Sequence, residues 1–294
     1  MIERTPTISY NALRRSRTTI EDFVQTYFPY HRLEFPKAFF EYLDILVFVE
    51  ATIYQADEAN ELYAKQGLLL PQAHSDLRKN LQAVLEGRGL WSQQLADELA
   101  KGEEYWRQER AICAAMLRHP NCAAPDESAR HLSIDQIHAA SQAKSFDYRV
   151  LNLLLYGLTG RPVDDQLMEF LAVDEHLVDI GDDLVDYEDD VMANSFNIYR
   201  GYVHLHGSRA QLTLIDRIAE LEARHAALLV QLPDQTRQHF RRRHVEASEA
   251  PGSGNWIFPQ PILDEAFYRR QFAEAETSSS QVFSAPLASA SSTP

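Results

Sequence analysis

Cysteine is scarce in this chain. Only Cys113 and Cys122 occur among 294 residues, and their separation matches no common metal-ligand motif. Two cysteines in a chain of this length build no disulfide framework, so a reducing compartment is favoured. The first residues lack the apolar stretch of a secretory signal, and apolar runs such as 45–49 are far too short to cross a bilayer. We therefore expect a cytoplasmic protein without a membrane span.

Positive charge is scarce as well. Lys and Arg number 28 against 43 Asp and Glu, so the formal net charge is −15. Binding to nucleic acid draws on clustered Lys and Arg, and so does anchoring on an anionic membrane surface. The charge balance therefore argues against both kinds of partner. Glycine-rich phosphate loops of the Walker or Rossmann type are also absent. The sequence leaves open whether two copies pair as a homodimer.

Strand signals are nearly absent, because alternating apolar and polar runs and Asn-Gly or Asp-Gly turns are scarce. Capping boxes at 133–136 and 208–211 mark helix starts. The sequence predicts one all-α domain over 18–276, after a flexible basic arm over 1–17 and before a disordered tail over 277–294. The expected helices cover 18–28, 37–65, 74–87, 91–117, 133–157, 164–190, 194–206, 208–231, 234–249 and 262–276.

Acidic side chains end an otherwise apolar helix in what we call the first acidic segment, Asp57 to Glu61. The preceding residues, 38–56, are apolar almost all round, which is typical of a buried helix. At about 100° per residue, Glu50, Asp57 and Glu61 fall on one stripe. Carboxylates along a core stripe need a cation or a hydrogen-bonding partner. The alternative is a helix that emerges into solvent at Asp57.

A second acidic segment covers Asp174 to Asp190. Its residues Asp182, Asp186 and Asp190 follow at steps of four, and each step turns a helix by about 40° and rises about 6 Å. We therefore expect them to line one face together with Asp179. The opposite face is a wide apolar arc, formed by Leu177, Val178, Ile180, Leu184 and Val185. The segment contains no Lys or Arg, so its own side chains cannot relieve the repulsion. Mg²⁺ would relieve it, and a solvated acidic face is the alternative.

The acid excess is concentrated in these two regions. Residues 38–64 hold six acids and residues 174–190 hold nine, with no Lys or Arg in either, which equals the whole net charge of −15. Two facing carboxylate clusters above an apolar cavity favour metal-assisted departure of diphosphate from an apolar substrate. The apolar walls would exclude water from the carbocation that is left behind.

The sequence Asp57-Glu58-Ala-Asn-Glu61 resembles the first Asp-rich motif of class I terpene synthases, and the stretch from Asp182 to Asp190 resembles their second motif. The resemblance covers roughly residues 37–232. It implies the helical bundle of the class I isoprenoid synthases and a Mg²⁺-dependent ionisation of an acyclic prenyl diphosphate, with farnesyl or geranylgeranyl diphosphate expected. The product would be a terpene hydrocarbon or alcohol.

The resemblance also implies site residues. Three Mg²⁺ ions with diphosphate would be held by two groups of carboxylates: Asp57, Glu58 and Glu61 on one wall, and Asp182, Asp186 and Asp190 on the other. The carboxylates expected to act in catalysis are Asp57, Asp182, Asp186 and Asp190. The candidates for contacts with the diphosphate are Arg149, Tyr268, Arg269 and Arg270.

The chain departs from the family pattern in several places. Asp186 stands where Ser or Thr is usual, Asp190 stands where Glu is usual, and the C-terminal Arg-Tyr pair is absent in that order. The stretch from Asp182 to Asp186 is also the second DDxxD motif of isoprenyl diphosphate synthases. No Arg pair follows Glu61, which favours cyclisation over chain elongation. A catalytically silent helical module that binds a basic partner is the third hypothesis.

Overall fold

The computed structural model describes residues 8–66, 74–117, 132–248 and 256–272, and these contain α-helices and short 3-10 turns but no strand. The predicted all-α fold class is therefore confirmed. Along the chain, the helices are α1 Tyr10–Tyr27, α2 Lys37–Gln66, α3 His74–Gly87, α4 Gln93–Leu117, α5 Ile134–Ala143, α6 Phe146–Thr159, α7 Asp165–Val185, α8 Tyr187–Ala193, α9 Ile198–His206, α10 Ala210–Leu229, α11 Asp234–Ser248 and α12 over 265–272. None of the described helices has the length and apolar character needed to cross a membrane.

The first helix begins earlier than predicted. Helix α1 starts at Tyr10, and its N-cap residue Ser9 accepts a hydrogen bond from the backbone N–H of Ala12. Residues 10–17 are therefore helical and do not form a loose arm. The reason is a buried stripe of small and apolar side chains: Ala12, Ser16 and Ile20 are buried on a helix that packs against α2. The basic residues around them mask this stripe in the sequence. Residues 1–7 and the expected tail over 277–294 lie outside the described part.

Two predicted helices are interrupted. The helix expected over 133–157 is divided between α5 and α6, because Ser145 adopts a left-handed conformation with φ 52°. The helix expected over 164–190 ends at Val185, and α8 starts after Asp186. Both interruptions fall beside acidic side chains. The α5–α6 turn, residues 144–149, therefore enters the candidate site with side chains that a continuous helix would place elsewhere.

Helix α4 lies at the centre of the bundle, where it packs against α2, α5 and α6. Its Gly102 permits the close approach of α6, since a Cβ at this position would overlap the ring of Phe146. The rings of Trp106 and Phe146 then meet edge to face, with centroids 5.3 Å apart. Helix α7 completes this region by packing against α5, α6, α9 and α10. The two acidic segments thus lie on helices that border the same interior.

Candidate active site between the acidic segments

An arginine from α1 covers the first acidic segment. The guanidinium of Arg15 lies 3.4 Å from Asp57, 3.9 Å from Glu58 and 3.8 Å from Glu61. It also stacks over the ring of Tyr54, at 4.3 Å from the centroid. The three carboxylates predicted to act together are therefore gathered around one positive charge. The sequence prediction missed Arg15 because it assigned this residue to a loose arm.

The carboxyl group of Asp57 is held between α2 and α4. Its Oδ1 accepts a hydrogen bond of 3.0 Å from the indole Nε1 of Trp106. Burial, followed by the charge of Glu61, raises the pKa of Asp57 to about 7, against the opposing effects of Arg15 and Trp106. Near neutral pH, the surroundings of Asp57 therefore determine whether its carboxyl group is ionised. A cation that binds beside Asp57 would favour the ionised form and lower the pKa.

The second acidic segment presents a different face from the one predicted. Of the expected apolar arc, Ile180 and Leu184 are buried, whereas Val178 and Val185 are 58% and 82% exposed, so the prediction is wrong for the two valines only. Asp179 and Asp183 are buried, whereas Asp182 is exposed. The reason is that Ile180, Leu184 and Tyr187 carry the buried apolar contacts. Two acids lie on that same side, which the helical pattern alone did not resolve.

The α5–α6 turn supplies partners for the two buried acids. The ammonium group of Lys144 lies 2.5 Å from Asp183, and the hydroxyl of Ser145 donates a hydrogen bond of 2.6 Å to Asp179. Burial raises the pKa of Asp179 to about 7, although Lys144 and Ser145 oppose the shift. The charge of the second acidic segment is thus balanced from another element. The sequence of the segment itself gives no sign of these two partners.

The predicted ligands of the second segment have separate surroundings. Asp190 accepts a hydrogen bond of 2.9 Å from Asn197, and burial raises the pKa of Asp190 to about 6. Burial also raises the pKa of Asp182, against the charge of Lys144. Asp186 is exposed at the break between α7 and α8. The three side chains therefore border one region but do not converge on one point.

Mg²⁺ suits the donor chemistry here, since the candidate ligands are all carboxylate oxygens. Asp179 contributes a further buried oxygen, Oδ2, that has no hydrogen-bond partner. Within the described residues, however, no three His, Cys, Asp or Glu side chains come close enough to hold a metal ion. The positive charge among the carboxylates is supplied by Arg15 and Lys144. The carboxylate oxygens are thus of the kind that Mg²⁺ prefers, and the charged groups of Arg15 and Lys144 lie next to them.

Arg149 is enclosed in the core, away from a position open to diphosphate. Its guanidinium donates to Glu98 at 2.5 Å and to Glu175 at 3.2 Å, and the residue is only 7% exposed. It also donates to the backbone oxygens of Ala143 and Lys144. These bonds fix the α5–α6 turn to α4 and α7. The predicted diphosphate contact therefore holds the turn that carries Lys144.

Helix α4 connects the two acidic segments. Burial and the charges of Asp57 and Glu61 raise the pKa of Glu109 to about 8, against the charge of Lys144. Burial raises the pKa of Tyr105, and the charges of Glu109, Asp57 and Asp183 raise it further. One face of α4 thus lies within electrostatic reach of both segments. Glu109 and Lys144 were not predicted, since isolated charges in amphipathic helices give no distinguishing pattern.

The predicted C-terminal basic residues attach α12 to α8. The hydroxyl of Tyr268 donates to Glu188 at 2.9 Å, and Arg269 donates to Glu265 at 2.7 Å and to the backbone oxygen of Val191 at 2.8 Å. Arg270 is exposed. In this arrangement, Tyr268 and Arg269 position the end of the second acidic segment.

A buried arginine joins this C-terminal segment to the ends of the helices that carry the acidic segments. Arg200 is fully buried and donates two hydrogen bonds to Glu265, at 2.7 and 2.8 Å. It also donates to the Oδ1 of Asn194 at 2.7 Å. The amide nitrogen of Asn194 donates to the backbone oxygens of Ala64 and Lys65, at 3.4 and 3.5 Å. The ends of α2 and α8 are therefore held in contact.

The candidate active site thus consists of the first acidic segment with Arg15, the second acidic segment, and the α5–α6 turn with Lys144. The face of α4 that carries Tyr105 and Glu109 lies within reach of both segments. Comparison of the chain with protein-family models, with characterised proteins and with solved structures found no match. The contacts described above are therefore the basis on which a function is inferred.

Proposed function

We propose that the protein is a Mg²⁺-dependent class I terpene synthase with the helical fold of that family. It would ionise an acyclic prenyl diphosphate, with farnesyl or geranylgeranyl diphosphate expected, and release diphosphate and a terpene hydrocarbon or alcohol. One observation carries the proposal. Two acidic segments more than a hundred residues apart border one interior, where Arg15, Lys144 and a group of aromatic rings accompany them.

The carboxylates of Asp57, Glu58 and Glu61, and those of Asp182, Asp186 and Asp190, would hold Mg²⁺. When bound, the metal would neutralise charge on the departing diphosphate. Arg15 and Lys144 bring permanent positive charge to the same region, so we assign them the diphosphate contacts in place of Arg149 and Arg269. Each now balances acids that Mg²⁺ would balance instead, which leaves the two cations able to interact with phosphate oxygens.

Aromatic side chains between the segments would protect the allylic cation. The rings of Trp106 and Phe146 are almost fully buried, and so is that of Tyr105. Such rings exclude water, and their faces attract a cation.

The proposal is tested by incubating the protein with geranyl, farnesyl and geranylgeranyl diphosphates, with Mg²⁺ or with EDTA. Diphosphate release and volatile products are measured. We expect release only with Mg²⁺, and a loss of at least about 100-fold in Asp57→Asn and Asp182→Asn. Asp44→Asn is the matched control, because Asp44 lies on α2 but its side chain is 61% exposed and pairs with Arg88.

Three other outcomes would change the assignment. Longer prenyl diphosphates that form only when isopentenyl diphosphate is added would identify a chain-elongating prenyltransferase. Turnover that is unaffected by EDTA would remove the metal from the proposal. Absence of turnover and of diphosphate binding in every assay would instead favour a silent helical module whose acidic faces bind a basic partner.

Metal binding has a readout that needs no substrate. The indole of Trp106 donates to Asp57, so a cation at Asp57 is expected to change the fluorescence of Trp106. The chain contains three tryptophans, and replacement of Trp91 and Trp256 by Phe isolates the signal. A Mg²⁺-dependent change that disappears in Asp57→Asn supports the site. An unchanged signal at saturating Mg²⁺ would contradict it.

A further inference from the structure

The first acidic segment contains one neutral polar side chain, that of Asn60. It is fully buried, whereas the three acids of the segment are partly exposed. The amide group of Asn60 has a partner at both ends: its Nδ2 donates to Oε2 of Glu109 at 2.5 Å, and its Oδ1 accepts a hydrogen bond from the guanidinium of Arg110. Because one end of the amide donates and the other accepts, these partners fix its orientation.

Helix α4 therefore holds the first acidic segment at two points. The indole of Trp106 donates to Asp57 at 3.0 Å, and Glu109 accepts from Asn60 at 2.5 Å. Trp106 and Glu109 are three residues apart on α4, as Asp57 and Asn60 are on α2, and residues at this spacing share one helix face. A rotation of α2 about its own axis would break one of the two bonds.

Helix α1 holds the opposite side of the same segment. Ser9, which caps α1, donates to Glu58 at 3.2 Å. Around the axis of α2, Glu58 lies about 100° to one side of Asp57, and Asn60 lies about 60° to the other. Glu61 lies about 40° from Asp57, on the side of Glu58. Asp57 and Glu61 thus occupy the sector between the edge that α4 holds and the edge that α1 holds.

The carboxyl group of Glu109 is also connected toward the second acidic segment. Glu109 is only 5% exposed, and its Oε1 accepts a hydrogen bond of 3.5 Å from the hydroxyl of Tyr105. The ring of Tyr105 meets that of Phe196 edge to face, with centroids 6.2 Å apart, and Phe196 lies in the turn that follows α8. Both oxygens of Glu109 are thus bonded to protein groups, and its neighbours contact both sides of the candidate site.

We infer that Asn60 and Glu109 are positioning residues of the proposed metal site. They hold α2 in the rotation that directs Asp57 and Glu61 toward the interior, where Mg²⁺ would bind. This inference rests on the proposed function. Neither Asn60 nor Glu109 is assigned a contact with the metal or with diphosphate, so both act through the carboxylates of α2. Replacement of groups that orient metal ligands typically lowers metal affinity or activity by about 10–100-fold.

The test measures Mg²⁺ affinity in three variants. Ser in Asn60→Ser is too short to reach both partners, and Met in Glu109→Met has no strong acceptor, whereas Gln in Glu109→Gln still accepts from Asn60. The readout is the Mg²⁺-dependent fluorescence of Trp106, with Trp91 and Trp256 replaced by Phe. We expect the dissociation constant of Mg²⁺ to rise about tenfold in the first two variants. Glu109→Gln, the conservative replacement, should restore it to within about threefold of the wild-type value.

Diphosphate release separates positioning from folding. At limiting Mg²⁺, Asn60→Ser and Glu109→Met should release diphosphate about tenfold more slowly than the wild type. Saturating Mg²⁺ should return both rates to within about threefold, because the carboxylate ligands themselves are intact. A purely structural role would lower the free energy of urea unfolding and leave the Mg²⁺ dependence of the folded protein unchanged. Asn60→Ser is the smaller change, and it provides the test if Glu109→Met does not fold.

Matched controls come from the same two helices. Glu103→Met changes an acid on α4 whose side chain is 46% exposed and pairs with Arg78, and Glu41→Gln changes an exposed acid on α2. Both should keep the wild-type affinity for Mg²⁺. Wild-type affinity in folded Asn60→Ser and Glu109→Met would overturn the inference and leave the proposed function intact. A wild-type protein that neither responds to Mg²⁺ nor releases diphosphate would instead refute the proposed function, and the positioning role with it.

Discussion

Arg15 illustrates how one side chain can set the charge of a site. It compensates three carboxylates at once, and its charge is one of the forces that keep the pKa of Asp57 from rising above about 7. The nearby Arg14 is exposed and donates to Asn11. The two arginines are adjacent in sequence, yet only one is part of the candidate site.

We therefore expect Arg15→Gln to raise the pKa of Asp57. Loss of the guanidinium removes an opposite charge, which makes the ionised carboxyl less favourable. The measurement is a pH titration of Trp106 fluorescence, since the indole is bonded to Asp57. Arg14→Gln is the control and should leave the titration midpoint unchanged. A midpoint that is equal in wild type and Arg15→Gln would contradict the role given to Arg15.

A second prediction at this scale concerns Glu50 and protein stability. Because burial raises its pKa above the ordinary value of 4.5, the folded state binds this proton more tightly than the unfolded state. The contribution of Glu50 to stability is therefore full below that ordinary value and decreases as the pH rises toward the pKa of the folded state. We expect Glu50→Gln to remove this decrease.

The comparison is made by urea unfolding at about pH 5 and about pH 8. The free energy of unfolding of Glu50→Gln, relative to wild type, should increase between the two pH values. Glu41→Gln should show no such change. A relative stability that stays constant with pH would mean that Glu50 is ionised in the folded protein.

Some elements were predictable from the sequence, and some were not. Helices α2 and α3 lie within one residue of their predicted bounds, because long apolar stretches and prolines mark their limits. The break at Ser145, which is left-handed and donates a hydrogen bond to Asp179 of α7, was not predictable, since no Gly, Asn or Pro marks it in the sequence. The orientation of α7 was also missed, because Asp179 and Asp183 become internal only when Lys144 and Ser145 reach them from another element.

The attachment of α12 gives a prediction at the scale of an element. Arg200→Met removes a fully buried guanidinium and leaves Glu265 without its bidentate partner. Glu265 keeps the hydrogen bond from Arg269, whereas the oxygens of Asn194 and Ser195 lose their donor. Unpaired groups of this kind cost about 1–3 kcal/mol each, so we expect a loss of about 2 kcal/mol or more of unfolding free energy. The measurement is urea unfolding, combined with hydrogen exchange of residues 256–272. Protection should be lost first in that segment.

An exposed ion pair serves as the control for Arg200. Arg224 and Glu169 lie 2.8 Å apart on α10 and α7, and both side chains are 51% exposed. Arg224→Met should cost less than about 1 kcal/mol, because surface pairs contribute little. Equal losses in the two variants would mean that the buried pair does not hold the C-terminal segment in place.

At the scale of the whole molecule, the formal net charge of −15 is distributed unevenly. Part of it is neutralised, because some interior carboxyl groups keep their protons. Among the described residues, burial raises the pKa of Glu50, Asp147 and Asp182. It also raises the pKa of five carboxyl groups to stated values: Asp57 to about 7, Glu109 to about 8, Glu175 to about 8, Asp179 to about 7 and Asp190 to about 6. The folded state therefore binds more protons than the unfolded state, and stability should fall as the pH rises through these values.

Mg²⁺ should counteract this loss. A divalent cation binds ionised carboxylates, so its stabilising effect should be larger at about pH 8 than at about pH 5. At a concentration one hundred times its dissociation constant, it would add about 2.7 kcal/mol. Thermal unfolding with Mg²⁺ or with EDTA measures the effect. An unfolding midpoint that is the same with Mg²⁺ and with EDTA, at both pH values, would contradict the proposed metal site.

The early start of α1 determines where the chain can be shortened. A protein truncated at the domain boundary expected from the sequence, before residue 18, would lose Arg15 together with the buried residues Ala12 and Ser16. Three carboxylates of the first acidic segment would then face one another with less compensating charge. A shortened protein intended for crystallisation should therefore begin before Ser9, the residue that caps α1.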